Sequence, residues 1–143
     1  MRKCGLFVIC MMLIALLAGC GNQAAPAVTI DYGNSSIYTK EDMDDAIAII
    51  RAKFNTWEGC ELHSISYSSD DICTDEKNIA WMNQLEEAND NAQVFTQCIM
   101  FDTSFHSPKK GAGAWNPDEE YEWTWWLARR EGGEWKLMTW GAA

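Results

Sequence analysis

Tryptophan is the residue type that most favours a binding function in this chain of 143 residues. Six of the eight tryptophans lie between positions 115 and 140. Trp126 and Trp135 are expected on one face of a predicted hairpin, and Trp115 lies in the glycine-rich loop before it. If that face is open, the three indoles and Arg130 predict a stacking platform for a sugar, a peptide or another flat ligand. If the N-terminal segment or Arg130 covers them, they are packing residues only.

Three cysteines outside the N-terminal region, Cys60, Cys73 and Cys98, could form one disulfide and leave one free thiol. Cys60 and Cys73 are the closest pair in the sequence, so they are the candidate disulfide. A bridge between them would contribute roughly 3 kcal/mol by closing a short loop. A bridge from either residue to Cys98, or three reduced thiols, remains open at this stage.

The residue types give little support for catalysis. A cysteine nucleophile would need His63 or His106 beside it as a base, and with two histidines such a pairing arises easily by chance. His63, His106 and Asp102 lack the close spacing that is typical of metal ligands. The glycines at 111 and 113 lack the lysine and the following helix of a phosphate-binding loop. We therefore predict no catalytic residue, no metal and no cofactor.

Composition and charge restrict the class of protein. The chain is 48% hydrophobic and 22% charged, which fits one globular domain and excludes a wholly disordered chain. Its formal net charge is −10. Contacts with phosphates need a basic face, so we predict that nucleic acid is not a partner.

The N-terminus has the pattern of an exported protein. Arg2 and Lys3 precede an apolar run over residues 6–18, which is too short to cross a bilayer because a span needs roughly 20 residues. This length is typical of a signal peptide. The Leu-Ala-Gly-Cys sequence at 17–20 resembles the lipobox of bacterial lipoproteins. The resemblance implies cleavage before Cys20, acylation of its thiol with chains such as palmitate, and anchoring of the protein in the lipid bilayer, on the extracytoplasmic face of the cell membrane.

We expect three parts: a lipoprotein signal peptide over 1–19, a lipidated tether over 20–37 and a single domain over 38–143. Cleavage would remove two basic residues and no acidic one, so the mature chain would carry 9 basic and 21 acidic residues. Anionic lipid repels such a charge, so the acyl group and not a basic patch would hold the protein.

Apolar periodicity predicts the elements of the domain. Residues 37–57 have apolar side chains at three- and four-residue spacing, with Thr39 and Asp42 as a capping box, and predict a long helix. The remaining predictions are strands over 62–67, 94–105, 120–130 and 134–140, with a shorter helix over 74–88.

The last two strands form the clearest predicted hairpin. A type I′ turn at Gly132 and Gly133 would place Trp125 opposite Trp140. It would also place Leu127 opposite Met138. We expect the Trp125 side of the hairpin to pack on the long helix.

These elements predict an α+β roll, in which a long N-terminal helix packs on a curved four-stranded antiparallel sheet with a small inserted helix. The arrangement is similar to the cystatin/NTF2-like superfold. Gly-Cys-Glu-Leu at 59–62, the alternating Trp123, Trp125 and Leu127, and the segment 133–141 resemble small lipoproteins of unknown function from Gram-positive bacteria. The resemblance implies a cystatin- or NTF2-like domain at the cell surface and no particular activity. Residues 109–117 depart from the group's pattern.

We therefore predict a membrane-anchored extracytoplasmic module that binds a ligand or another protein, with a glycan, a peptide or a protein as its partner. The alternative is an NTF2-like enzyme that acts on a small molecule in a pocket between helix and sheet, with an acidic residue or His63 as its base. A third hypothesis is an inhibitory or assembly module that binds a peptide at a free sheet edge. An exposed, uncharged edge strand would favour this third hypothesis.

Overall fold

A computed structural model describes residues 26–91, 93–110 and 113–143 of the chain. The predicted signal peptide and Cys20 therefore lie outside the described residues. Within the described ranges, no helix is long and apolar enough to cross a membrane.

The described chain forms one mixed sheet of five strands and three helices. The sheet order follows the sequence; the first two strands are parallel and all other neighbours are antiparallel. In chain order the elements are β1 (Thr29–Asp31), α1 (Lys40–Phe54), β2 (Glu61–Tyr67), α2 (Asp70–Thr74), α3 (Glu76–Ala88), β3 (Gln97–His106), β4 (Glu120–Arg129) and β5 (Lys136–Ala142).

The predicted fold class was wrong. The sheet has five strands and is mixed, because residues 29–31 form a strand inside the segment expected to be a tether. Three residues are too few to show a period of two, so the sequence pattern does not reveal β1. The first helix is fifteen residues long and follows β1, so the long N-terminal helix is absent and the cystatin/NTF2-like roll with it.

Local capping signals set the bounds of α1. The Thr39 hydroxyl accepts a hydrogen bond from the backbone N–H of Asp42, and the Asp42 carboxylate accepts one from the backbone N–H of Thr39. This capping box starts the helix at Lys40 rather than at residue 37. The inserted helix is likewise divided, because Asp75 ends α2 and caps α3 through the backbone N–H of Lys77.

Two apolar clusters lie on opposite sides of the sheet. We call the side packed on α1 the α1 face and the opposite side, packed on α3, the α3 face. The α1 face holds the larger cluster, whose strand residues include Ile65, Phe101, Phe105, Trp125 and Leu127. The smaller cluster on the α3 face consists of Met82, Phe95, Cys98, Trp126 and Ala128. Each fully buried side chain of this kind contributes roughly 1.5–3 kcal/mol, so the α1 face is the main core.

The predicted hairpin forms with a different register beyond its centre. Trp125 lies opposite Trp140, as predicted, but Leu127 lies opposite Leu137 because an irregularity follows Trp126. Met138 is therefore an extra residue in β5 and packs on the α3 face. The predicted type I′ turn was wrong: Gly132 has a positive φ of 71° and Gly133 does not, while the Gly133 N–H donates to the Arg130 carbonyl.

Candidate functional site

The open edge of β5 is the most distinctive exposed feature of the sheet. β5 pairs with β4 on one side, and in the described part of the chain no strand pairs with its other side. Residues 137–142 carry no charged side chain and are half-buried or exposed. Within the described ranges, no backbone–backbone hydrogen bond of β5 leads outside the sheet. The outer N–H and C=O groups of β5 are therefore available to an added strand.

Trp140 gives this edge a rigid apolar side chain. Its ring stacks on that of Trp125, with centroids 5.9 Å apart and an interplanar angle of 21°. The Lys53 ammonium lies 4.7 Å from the centroid of the Trp140 ring. Trp140 nevertheless remains 37% exposed, so part of the indole is free to contact a neighbouring chain.

An open groove of about 540 Å³ adjoins the start of β5. Its walls come from the first turns of α1 and from residues 132–135 of the turn that precedes β5. Glu41, Asp45 and Glu134 contribute carboxylates, and Ile49 contributes apolar surface. The groove therefore extends the open edge into an acidic region.

Arg129 lies in the wall of this groove and is fully engaged by protein groups. Its guanidinium lies 4.1 Å from the centroid of the Trp135 ring. It donates to Asp42 Oδ1 at 2.9 Å and to Gln97 Oε1 at 2.7 Å. The backbone N–H of Thr39 first, and Arg129 in addition, hold the pKa of Asp42 below its usual range. Arg129 thus neutralises Asp42 and leaves the other three carboxylates of the groove without this cation.

The residues of the predicted stacking platform lie in different places. Trp126 is buried on the α3 face, where its ring packs edge-on against Trp81 at 5.4 Å. Trp135 is buried on the α1 face, under Arg129. Trp115 packs on Trp57 at the other end of that face. The structure does not bring the three indoles together, because α3 covers one face and the extra residue in β5 changes the alternation.

Arg130 does not stack on an indole, although the sequence made it the candidate. It is exposed beside the turn, and its neighbour Arg129 makes the contact with Trp135. The sequence offered no signal to choose between the two arginines, since they differ by one position next to a turn. Their roles depend on which of them ends β4.

Cys60, Cys73 and Cys98 are free thiols. Cys60 precedes β2 and Cys73 follows it, so seven strand residues, about 20 Å, separate this candidate pair. Disulfides require Cα atoms within about 7 Å. Cys73 and Cys98 are buried side by side, and the Cys98 thiol donates to the Cys73 carbonyl at 3.4 Å. Burial raises the pKa of Cys98 to about 12, which makes this thiol a poor nucleophile.

The two histidines meet on the α3 face of the sheet. An irregularity in β2 displaces His63, and its ring stacks on that of His106 at 6.4 Å. His106 contacts Glu120 through Nδ1 at 2.7 Å and Asp118 through Nε2 at 2.9 Å. These carboxylates raise the pKa of His106, with the Asp118 contact as the largest cause. A histidine that holds its proton in this way is a poor general base.

The described ranges contain no side-chain arrangement suited to metal binding or to catalysis between α1 and the sheet. No group of three or more His, Cys, Asp or Glu side chains there could hold a metal ion. Aromatic and aliphatic side chains fill the space between α1 and the sheet. Partial desolvation raises the pKa of Asp102, but its side chain is exposed, and its place in β3 puts it on the opposite, α3 face.

No protein-family model, curated protein sequence or solved structure matches the chain. The resemblance to small Gram-positive lipoproteins therefore remains a prediction.

Proposed function

We propose that this protein is a membrane-anchored, extracytoplasmic interaction module that binds an extended peptide segment of another protein along the edge of β5. The observation that carries the proposal is the uncharged open edge over residues 137–142. An added strand would make main-chain hydrogen bonds to β5, and its alternate side chains would contact Trp140 on the α1 face.

Edges of this kind are uncommon on proteins that stay unpartnered. Natural sheets protect their edges with charges, prolines, bulges or very short strands. β5 has two such devices, the charged Lys136 at its first position and the extra residue Met138, and the four residues beyond Met138 are paired regularly with β4. These four residues, Thr139 to Ala142, are therefore the proposed docking strand.

Charge selects the class of partner. The chain carries a formal net charge of −10, and the groove at the start of β5 adds three carboxylates beside the path of an added strand. A second copy would bring the same charge to the edge, whereas a neutral or basic segment would meet no such repulsion. We therefore propose a partner segment with apolar alternate residues and a basic residue near the groove.

The membrane anchor completes the proposal. Acylated Cys20 would hold the domain at the extracytoplasmic surface, where the edge of β5 meets partners at the same membrane. Two or more acyl chains give stable anchoring, whereas one does not.

Hydrogen exchange on the full chain tests the docking strand. The probe is a short synthetic peptide of alternating valine and threonine with a lysine at each end. We expect the peptide to slow exchange of the β5 amides and to leave β1 unchanged. The same peptide with terminal glutamates should bind more weakly, because it faces the acidic groove.

Gly141→Lys is the matched disruption. A Cβ at Gly141 would meet no atom within 4 Å, so the substitution leaves the fold intact. A lysine there would oppose the basic peptide and weaken binding by up to about fivefold. Ala80→Lys adds the same charge on exposed α3 and should leave binding unchanged. Protection at β1 instead of β5, or β5 protection that grows with protein concentration and without peptide, would refute the proposal.

A further inference from the structure

The end of the domain nearest the predicted anchor carries a cluster of three half-buried indoles, Trp57, Trp115 and Trp123. We refer to these residues as the indole triad. Their ring centroids lie 4.9 Å (Trp57–Trp115), 5.2 Å (Trp57–Trp123) and 5.5 Å (Trp115–Trp123) apart. Trp57 follows α1, Trp115 lies in the loop before β4, and Trp123 lies in β4. Three separate parts of the chain thus converge to place indoles at one end of the α1 face.

The N-terminal segment reaches the same end of the domain. Residues 26–28 share a groove with Phe54, Asn55 and Gly59, which flank Trp57 in the sequence. The Trp57 ring also packs on Phe54, with centroids 5.2 Å apart. The chain therefore leaves the domain beside the indole triad.

The short distance to the anchor keeps this end of the domain near the membrane. Only five residues lie between Cys20 and Pro26, and the extended chain from one to the other spans at most about 20 Å. If Cys20 carries lipid, Pro26 is therefore held within about 20 Å of the headgroups, and the indole triad lies at the same end of the domain. The groove and turn at the start of β5 lie at the opposite end of the sheet, away from the bilayer.

We infer that the indole triad is a contact surface for the phospholipid headgroup region of the membrane that holds the anchor, an inference that rests on the lipid-anchored part of the proposed function. Tryptophan favours this region, because its ring is apolar and carries a polar N–H. The Trp115 N–H is itself buried, so this residue would contribute only its apolar ring to the contact. The contact would orient the domain with the groove at the start of β5 away from the lipid and with Ala142, which pairs with Trp123, toward the membrane.

The charges around the triad select a neutral headgroup region. Exposed Lys109 and Lys110 belong to the loop that carries Trp115. Glu58 is exposed next to Trp57, and Glu119 lies close to Tyr121 at the start of β4. Asp118 and Glu120 are also exposed at this end, so acidic side chains outnumber the two lysines and anionic lipid should not strengthen the contact.

Quenching of tryptophan emission by brominated phosphatidylcholine tests the inference. The full lipidated chain, purified from bacterial membranes, is placed in vesicles with and without bromine on the acyl chains. We expect bromine to reduce the emission of the wild-type protein. Trp115→Phe keeps an aromatic ring in the loop and should lower the quenched intensity by about one third, since one of three interfacial indoles is lost.

Trp81→Phe is the matched control. Trp81 is 38% exposed, but it lies on α3 against Trp126, on the opposite face of the sheet from the triad. Its substitution should leave the quenched intensity unchanged. Addition of phosphatidylglycerol should not raise the quenching.

Flotation of the vesicles separates the two proposals. A chain that floats with vesicles and shows no quenching overturns the indole-triad surface and leaves the anchor standing. A chain that does not float overturns the anchor and the surface together. Equal loss of quenching in Trp115→Phe and Trp81→Phe also overturns the surface, and this comparison is valid only for variants whose thermal melting matches that of the wild type.

Discussion

The two edge strands of the sheet, β1 and β5, differ in length, in charge and in how the chain holds them. β1 has three residues, one of them the charged Asp31, and the segment after it is fastened to the domain. β5 has seven residues with a single charge at its first position. The contrast shows that one edge strand is very short, charged and held by the segment that follows it, while the other is longer and left available for a partner.

Side-chain hydrogen bonds hold the segment that follows β1 to the start of α2. Asp70 at the start of α2 accepts from the hydroxyl of Ser35 and from the backbone and hydroxyl of Ser36. These bonds, with the Ser35 hydroxyl as the largest cause, hold the pKa of Asp70 far below its usual range. Lys136 fastens the first residue of β5 to α3, but no comparable contact reaches residues 139–142 in the described chain.

The largest effect is expected from loss of the contact that holds the start of β5. Lys136 donates to both carboxylate oxygens of Glu86, at 2.8 and 2.7 Å, and Glu86 is 2% exposed. Lys136→Met would leave a buried carboxylate without its partner. We expect a loss of about 2–3 kcal/mol in the free energy of unfolding, measured with urea.

Lys53→Met in α1 is the matched control, because it removes only the cation above Trp140 of β5. Its expected cost is about 0.5–1 kcal/mol. Equal losses in the two variants would mean that the Glu86–Lys136 pair does not hold β5 to α3.

A second variant should loosen β1 and raise its rate of hydrogen exchange. Asp70→Ala removes the acceptor that holds Ser35 and Ser36. We expect faster hydrogen exchange over residues 27–32 and unchanged exchange in β5. Asp71→Ala removes an adjacent exposed carboxylate and should leave both edges as they are. Faster exchange at β5 in Asp70→Ala would show that the two edges are not independent.

The smallest expected effect is on the pH dependence of the free energy of unfolding. It arises from His106 in β3, which lies between the two edge strands. Asp118 and Glu120 raise the pKa of His106 above its unfolded value, so protonated His106 stabilises the fold fully below about pH 6.5. This contribution is lost as the pH rises through the raised pKa. His106 also lowers the pKa of Asp118, so the stability from that carboxylate is lost as the pH falls through the lowered value.

We expect His106→Gln to flatten the stability curve above pH 6.5 without changing exchange at β1 or β5. His63 and Glu61 also face this cluster, so His63→Gln serves as a comparison. Thermal melting across pH gives the curve. An unchanged slope in His106→Gln would contradict the assignment.

The sequence predicted the parts of the site that depend on neighbouring residues. The capping box at Thr39 and Asp42 was read correctly, because its partners are three positions apart. The pairing of Trp125 with Trp140 followed from the nearby turn glycines. An uncharged free edge was named only as a feature that would favour peptide binding, and the sequence did not assign it to a strand. The acidic groove was missed, because its walls come from α1 and from a turn about ninety residues later.

The sequence by itself determined the capping box of Thr39 and Asp42, which strands form the hairpin, and that its Trp125 side belongs to the core, since these follow from contacts a few residues apart. Only the tertiary structure decided that β1 joins the sheet, that His63 meets His106, and that Arg129 rather than Arg130 covers Trp135. Strand pairing is a contact between distant segments, and one extra residue in β2 or β5 changes which side chains share a face. The alternation of apolar and polar residues along a strand reveals neither the pairing of distant segments nor the position of an extra residue.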